Sequence, residues 1–310
     1  MPPELPPPTI SVIMPVYNRA GQVTAAIQSV LNQTFEDFEL IVVDDGSTDG
    51  TVEAIRAIED DRVRLLIQPS NAGGNAARNR GIEASRAPLL AFLDSDDCYL
   101  PNKLAYLNDY FATHPHIDVL LDSFIKRYRP ERDRPDVELR NPVLDTNEAI
   151  LDALFTRRIW KATPGIAVRR EAALRAGMFD PSLPRRQDFD FILRLAAVAR
   201  CATTDAPLWI KTYSKGAISG QLGNFAESTL QFLERHPEYH DNPTYRAGLA
   251  HDLGRHFVRL IKRGQWSQAF RDAKLLTPAF GTAGLIRLTV EGAGLFRSRR
   301  RAIRDTSLNA

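Results

Sequence analysis

Between Thr9 and about Pro101 the chain alternates strand-like and helix-like patterns, and this alternation limits its possible folds more than any other feature. "TISVIMPV" is an apolar run of strand length. "AGQVTAAIQSVLNQ" then sets Val23, Ile27, Val30 and Leu31 on one helical face. "FELIVV" is a second strand ending at Asp44, and "STDGTVEAIRAIE" opens with capping residue types and carries Val52, Ile55 and Ile58 on one stripe. "VRLLIQ", "NAARNRGIEAS" and "PLLAFL" continue the series as strand, helix and strand. Repeated βα units need crossover helices, so they predict an α/β chain whose sheet is mainly parallel and flanked by helices on both faces.

In such an open sheet, ligands bind beyond the carboxyl ends of the strands. The pattern puts Tyr17 and Asn18, Asp44 and Asp45, Asn71 to Asn75, and Asp94 to Asp97 at that edge. Each group offers polar side chains, so a site there is expected from topology alone. Past Pro101 the pattern loosens. "PNKLAYLNDYFATHP" reads as a helix, "IDVLLDSFIKRY" as a strand, and "RPERDRPDVELRNP" as a charged surface loop or edge excursion. "TNEAILDALFTR", "REAALRAG" and "RRQDFDFILRLAAVAR" read as helices, "TPGIAVRR" and "PLWIKTY" as strands. Beyond Lys215 only helices are expected, over roughly 225–235, 244–262, 266–276 and 283–301.

Composition excludes several classes. The chain's 310 residues, 44% hydrophobic and 25% charged, suffice for one large or two ordinary domains. A formal net charge of +2 makes no case for nucleic acid as a partner. Cys98 and Cys201 are the only cysteines, far apart and without metal-ligand spacing, which fits a reducing compartment. "MPPELPPPT" has no apolar h-region and reads as a short extended tail over residues 1–8 rather than a signal peptide. No segment reaches about 18 uncharged apolar residues, so no spanning helix is expected. The turn after strand one is "PVYNRAG", which lacks the G-x-G-x-x-G of dinucleotide binders, and the P-loop pattern is also missing.

Carboxylates stand at the strand ends instead. In "FLDSDDCYLP" Asp94, Asp96 and Asp97 arrive together, and crowded carboxylates raise one another's pKa unless a cation compensates. Hard oxygen ligands suit Mg²⁺ or Mn²⁺, which bind a few carboxylates together with substrate phosphates. A solvated turn with Asp97 capping the next helix is the alternative.

Taken together, "SVIMPVYNRAGQVTAAIQSVLNQTFEDFELIVVDDGSTDGT", "NAGGNAARNRGI" and "FLDSDDCYLPNKL" resemble the inverting, family-two glycosyltransferases of the GT-A fold, over Thr9 to about Tyr213. The resemblance implies a Rossmann-like GT-A catalytic domain over 9–215, with 216–310 as a C-terminal helical extension. It implies transfer of a hexosyl or N-acetylhexosaminyl group from a nucleotide-diphosphate donor, UDP by family habit, in bacterial surface or exopolysaccharide assembly. Pro15 and Tyr17 match the base-binding turn, with Tyr17 as an aromatic platform or else a core-edge residue. Asp45 matches the acid that bonds the base, while Asp44 supports the turn. Asn75 and Arg78 match the nucleotide-pocket segment, with a plain surface charge as the alternative for Arg78. Asp94 and Asp96 match the D-x-D pair, Asp94 facing the ribose and Asp96 the Mn²⁺ or Mg²⁺ that bridges the diphosphate.

In "AGMFDPSLPRRQDFDFILRL" the matching base is Asp188, with helix N-capping as its other, compatible role. Asp190 matches a supporting or acceptor-side residue, and Trp160 falls where relatives contact acceptor sugars, with a buried aromatic as its alternative. Two departures stand out. Gln187 replaces a common Glu, and "KTYSKGAIS" after the last strand has no His, leaving Lys211 or Lys215 as the available cations. His114, His116, His236, His240, His251 and His256 are read as surface or capping residues. The run from Leu285 to Arg304 joins an apolar stripe to a basic cluster, which suits either an anionic membrane surface with a glycan or lipid-linked acceptor, or packing against protein. A cytoplasmic location is expected, either free or at the inner face of the cytoplasmic membrane. A non-catalytic sugar-nucleotide sensor or scaffold is the rival of another class, and a sugar nucleotidyltransferase the rival of the same fold.

Overall fold

The computed structural model describes residues 6–128, 134–212, 223–238 and 242–281. Strand β1 (Ile10–Val16) pairs in parallel with β2 (Phe38–Asp44) on one side and β4 (Leu89–Phe92) on the other, and β3 (Val63–Ile67) extends the parallel run beyond β2. Every residue of β1, β2 and β4 is buried, which is why they read as unbroken apolar runs. Helices α1 (Val23–Leu31), α2 (Thr51–Arg56) and α3 (Gly74–Ala84) are the crossovers. Helix α1 buries Val23, Ala26, Ile27 and Val30, the stripe its spacing predicts, with Leu31 partly buried beside it.

Past β4 the sheet becomes mixed. β5 (Cys98–Tyr99), α4 (Lys103–Thr113), β6 (Val119–Lys126), β7 (Val137–Leu139), α5 (Asn147–Phe155), β8 (Ile166–Arg169), α6 (Arg170–Arg175), α7 (Gln187–Val198) and β9 (Cys201–Lys211) follow in sequence. The strand order is β3-β2-β1-β4-β8-β6-β9-β5, with β7 on β6. β8 runs antiparallel to both β4 and β6, and β9 is parallel to β6. Two strands escaped the sequence pattern. β5 is a two-residue ladder on β9, too short for any period, and β9 begins six residues before "PLWIKTY" through polar "CATTDA". Thr203 is buried there because its hydroxyl is satisfied, donating to the Pro142 carbonyl and accepting the Leu144 N–H.

One buried ion pair crosses this core. Lys103 and Asp122 are both 0% exposed and in direct contact, and Lys103 Nζ also donates to the Pro164 carbonyl at 2.9 Å. Burial pushes the Asp122 carboxyl up to about 6, only partly offset by Lys103.

By its contacts the chain divides into two units: Met1–Leu151 with Ile159–Ser182 and Gln187–Lys215, and Asp152–Arg158 with Leu183–Arg186 and Gly216–Ala310. In the second unit, α8 (Phe225–Arg235), α9 (Pro243–Lys262) and α10 (Trp266–Phe280) bury Phe232, Leu253, Leu260 and Leu276. Asn242 caps α9, its side chain accepting the Thr244 and Tyr245 N–H groups, with Pro243 in the first turn. His256 departs from the surface reading of the histidines. It is buried, bonded to Asp272 at 2.5 Å and stacked on Phe225. The expected helix over 283–301, the basic run, Lys215 and residues 1–5 of the tail lie outside the described residues.

Candidate active site

The ends of β1, β2, β4 and β9 and the starts of α3 and α7 build the site, all within the first unit. Pro15 sits inside β1, opposite Val43, and not in the turn that follows. The Ile13 carbonyl accepts from Leu93 on the β4 side, so by alternation the missing N–H of Pro15 falls on that side, beyond the last β1–β4 pair at Ile13 and Phe92. A proline is tolerated here because the neighbouring strand has ended. Tyr17 follows, 43% exposed at the strand edge. Asn18 adopts a φ of 50° and its Oδ1 accepts the Thr48 N–H at 2.8 Å, tying the first turn to the second.

Asp45 is 2% exposed and anchors the loop before α3. Its Oδ1 accepts from Gln68 Nε2 at 2.5 Å and from the Ala72 N–H at 2.8 Å, and its Oδ2 accepts the Gly73 N–H at 2.8 Å. A carboxylate offers about four acceptor positions, and among the described residues three of those of Asp45 are used. Asp44 takes the Ser47 N–H on Oδ2 at 3.0 Å, as a turn-supporting residue does, while its buried Oδ1 has no hydrogen-bond partner among the described residues. Gly46 joins the two turns at a φ of 75°, and a Cβ there would lie 2.8 Å from the Ser70 carbonyl carbon. Gly46→Ala is therefore expected to lower stability by about 1–3 kcal/mol, read by denaturant unfolding.

Helix α3 carries the next residues. Arg78, 7% exposed at its side chain, pairs through Nη2 with Asp94 Oδ1 at 2.7 Å and through Nη1 with Asn75 Oδ1 at 3.2 Å. It is thus no plain surface charge. Asn75 Nδ2 donates to the Asp180 carbonyl at 2.8 Å. Asn79, which the sequence reading passed over, holds both the N–H and the carbonyl of Phe179 at 2.9 and 2.7 Å. One face of α3 therefore fixes the "GMFD" segment and also the first acid of "DSDD".

After β4, the carboxylates of Asp94, Asp96 and Asp97 place one oxygen each within 4.8 Å of one another. The β5–β9 ladder brings the end of β9 beside them, and Thr212 closes the turn. Its N–H donates to Asp97 Oδ1 at 2.8 Å and its hydroxyl to the Asp96 carbonyl. Burial pushes the Asp97 carboxyl well above the ordinary range, and Asp94 and Asp96 add to this against the pull of Lys211 and the Thr212 N–H. Burial works to lower the Lys211 pKa, but the charges of Asp97, Asp94, Asp96 and Asp188 outweigh it and hold the ammonium above the ordinary lysine range. Lys211 thus registers the acids of two separate motifs at once. A hard, all-oxygen donor set with crowded negative charge fits Mg²⁺ or Mn²⁺.

Asp188 stands half-buried in the first turn of α7, its Oδ1 accepting the Phe189 N–H at 2.8 Å. Asp190 is turned elsewhere. It is 1% exposed and pairs with Arg194 at 2.7 Å, which also donates to the Ala176 carbonyl. Trp160 is half-buried against the main core, and its N–H donates to Asn141 Oδ1 at 2.7 Å. Gln68, Asn79 and Thr212 were not singled out from sequence. Each acts through backbone or carboxylate contacts at long sequence separation, and the one available signal was the position of Gln68 at the end of β3.

Comparison with known proteins places the chain among glycosyltransferases. The chain is 31% identical to the putative teichuronic acid biosynthesis glycosyltransferase TuaG of Bacillus subtilis over 180 residues, 54% of this chain and 70% of that one. It is 41% identical over 95 residues to the UDP-Glc:alpha-D-GlcNAc-diphosphoundecaprenol beta-1,3-glucosyltransferase WfgD of Escherichia coli, 31% of this chain and 38% of that one. Against curated uncharacterized glycosyltransferases of Haemophilus influenzae, Rickettsia bellii and Nostoc, the chain spans 40%, 14% and 54% of their lengths. The crystal structure of S. aureus TarS 1–349 in complex with UDP-GlcNAc superposes with a TM-score of 0.61 at 20% identity, covering 94% of this chain and 92% of that one, so the fold is GT-A. The model of glycosyl transferase family 2 matches residues 11–177, which include the strand-end turns, α3 and the "DSDD" acids, and the chain belongs to that family.

Proposed function

We propose that this protein transfers a sugar, with inversion, from a nucleotide-diphosphate donor, UDP-linked, to a hydroxyl of a glycan or lipid-linked acceptor in bacterial surface polysaccharide assembly. The clustering of the Asp94, Asp96 and Asp97 carboxylates within 4.8 Å of one another supports this reading, as does Lys211, whose ammonium is held by the charges of these acids and of Asp188. Tyr17 and Asp45 serve the base, and Asn75 and Arg78 shape the pocket, Arg78 by orienting Asp94. Asp96, with Asp94 beside it, would hold Mn²⁺ or Mg²⁺, which supplies Lewis-acid stabilisation of charge on the departing diphosphate. Asp188 removes the proton of the acceptor hydroxyl as that oxygen attacks the anomeric carbon, and the C–O bond to the nucleoside diphosphate breaks on the opposite face. Asp190, locked to Arg194, sets the start of α7 and so positions Asp188, while Trp160 stands as an acceptor-side aromatic.

The names of WfgD and TuaG support a UDP-sugar donor, a lipid-linked acceptor and an envelope glycan. A site of action at the inner face of the cytoplasmic membrane goes with such an acceptor. Among the described residues no helix is long and apolar enough to cross a membrane. Asp96→Ala is the direct test of the donor site. UDP affinity in the presence of Mn²⁺ should fall at least about tenfold by calorimetry, with little change in metal-free buffer. Equal loss with and without metal would refute a metal role for Asp96.

A further inference from the structure

Helix α10 turns an apolar and basic face outward. Asp272 and Leu276 are its buried positions, and on the opposite side Trp266 is 63% exposed and Phe270 75%. Trp266, Phe270 and Lys274 follow one another at four-residue spacing and so form one stripe, with Arg271 beside it. Ile261, Lys262 and Arg263 close α9 just before α10 and are also exposed, as is Leu275. From residue 253 to 281 the chain carries Arg255, Arg259, Lys262, Arg263, Arg271 and Lys274 against a single acid. That acid, Asp272, is 1% exposed and bonded to His256 and Gln268. Segment 261–281 therefore presents large apolar side chains among cations and no exposed carboxylate.

A protein partner with an apolar socket would satisfy the aromatics, but the uniform positive charge around them needs an extended anionic surface. We infer that the outer face of α10, with the end of α9, docks on an anionic lipid bilayer. Trp266 and Phe270 enter the headgroup–acyl boundary, Ile261 and Leu275 flank them, and Lys262, Arg263, Arg271 and Lys274 pair with lipid phosphates. Tryptophan and phenylalanine suit that boundary, and lysine and arginine lay their stems along it while their heads reach the charged layer. The following sequence, 282–310, continues the bias with six arginines against Glu291 and Asp305. The inference stands on α10 and does not depend on the sugar-transfer reading.

Vesicle sedimentation of the full chain tests it, with phosphatidylcholine vesicles carrying about 30% phosphatidylglycerol against phosphatidylcholine alone. The chain should bind the anionic vesicles and not the neutral ones. Trp266→Ser/Phe270→Ser should lower partitioning at least about tenfold while its circular dichroism and melting stay those of the parent. With brominated lipid, tryptophan emission should be quenched in the parent and spared in Trp266→Phe, since Trp209 is buried and Trp160 half-buried. Equal partitioning of parent and double variant would overturn the proposal, as would no binding to anionic vesicles. A concentration-dependent dimer lost in the double variant, without vesicle binding, would assign the face to self-association instead. None of these readouts involves transfer, so failure here leaves the proposed activity standing, and failure of the activity leaves this result standing.

Discussion

Asp188→Ala should lose about 10²–10⁴-fold in turnover while UDP affinity stays within about twofold of the parent, because general-base catalysis supplies a factor of that size and Asp188 lies outside the donor turn. Asp188 sits in the first turn of α7, half-buried, with one oxygen on the Phe189 N–H. A carboxylate there is favoured by the helix N-terminus, so the substitution also costs about 0.3–1 kcal/mol of stability, too little to mimic a loss of that size. Asp188→Asn keeps the shape and the oxygen that accepts the Phe189 N–H but cannot take a proton, and it should match the alanine variant in turnover. Single-turnover kinetics beside calorimetric UDP binding separate the two effects. If Asp188→Asn kept full turnover, another group would be the base. A sugar-nucleotide sensor would show no turnover in the parent either.

Lys103→Met should destabilise the fold by about 3–5 kcal/mol, measured by denaturant unfolding. Lys103 and Asp122 are both 0% exposed, so the variant strands a carboxylate in the core without its cation. Replacing both, as Lys103→Met/Asp122→Leu, removes the stranded charge and should recover most of the loss. The pH dependence has a definite sign. Burial raises the folded-state pKa of Asp122 to about 6, above its ordinary carboxylate value. A raised folded pKa favours folding at low pH, and that contribution is lost as pH rises through about 6. Without Lys103 the folded value moves higher still. The Lys103→Met deficit should therefore be smaller at acid pH, where Asp122 takes up a proton, and grow toward neutral pH. A deficit that shrank from acid to neutral pH would contradict the buried-pair account.

The βα half of the fold was legible because its strands are buried on both faces and its helices carry one apolar stripe. Ile10–Val16 announces itself as an unbroken apolar run and Val23–Leu31 by its helical period. The mixed half was less so. β5 is a ladder of two residues, and the start of β9 is held by threonine hydroxyls rather than by apolar side chains. Site legibility followed the same division. Carboxylates at strand ends were readable from topology, and the structure brings Asp94, Asp96 and Asp97 together. What binds those carboxylates was not readable, since Gln68 to Asp45, Arg78 to Asp94 and Thr212 to Asp97 join positions far apart in sequence. Asp190 shows the converse. Its place in "QDFD" suggested a supporting or acceptor-side role, and only the structure shows that Arg194, one turn later, pairs with it.

The central claim, that the acids after β4 and at the start of α7 form one metal-dependent sugar-transfer site, is tested most directly by presenting a panel of nucleotide sugars with Mn²⁺ or Mg²⁺ and following nucleotide release. At least one UDP-sugar should be turned over or slowly hydrolysed with metal, should raise the melting temperature, and should lose hydrolysis in both Asp96→Ala and Asp188→Asn. Release that continued unchanged in chelator, or in both variants, would contradict it.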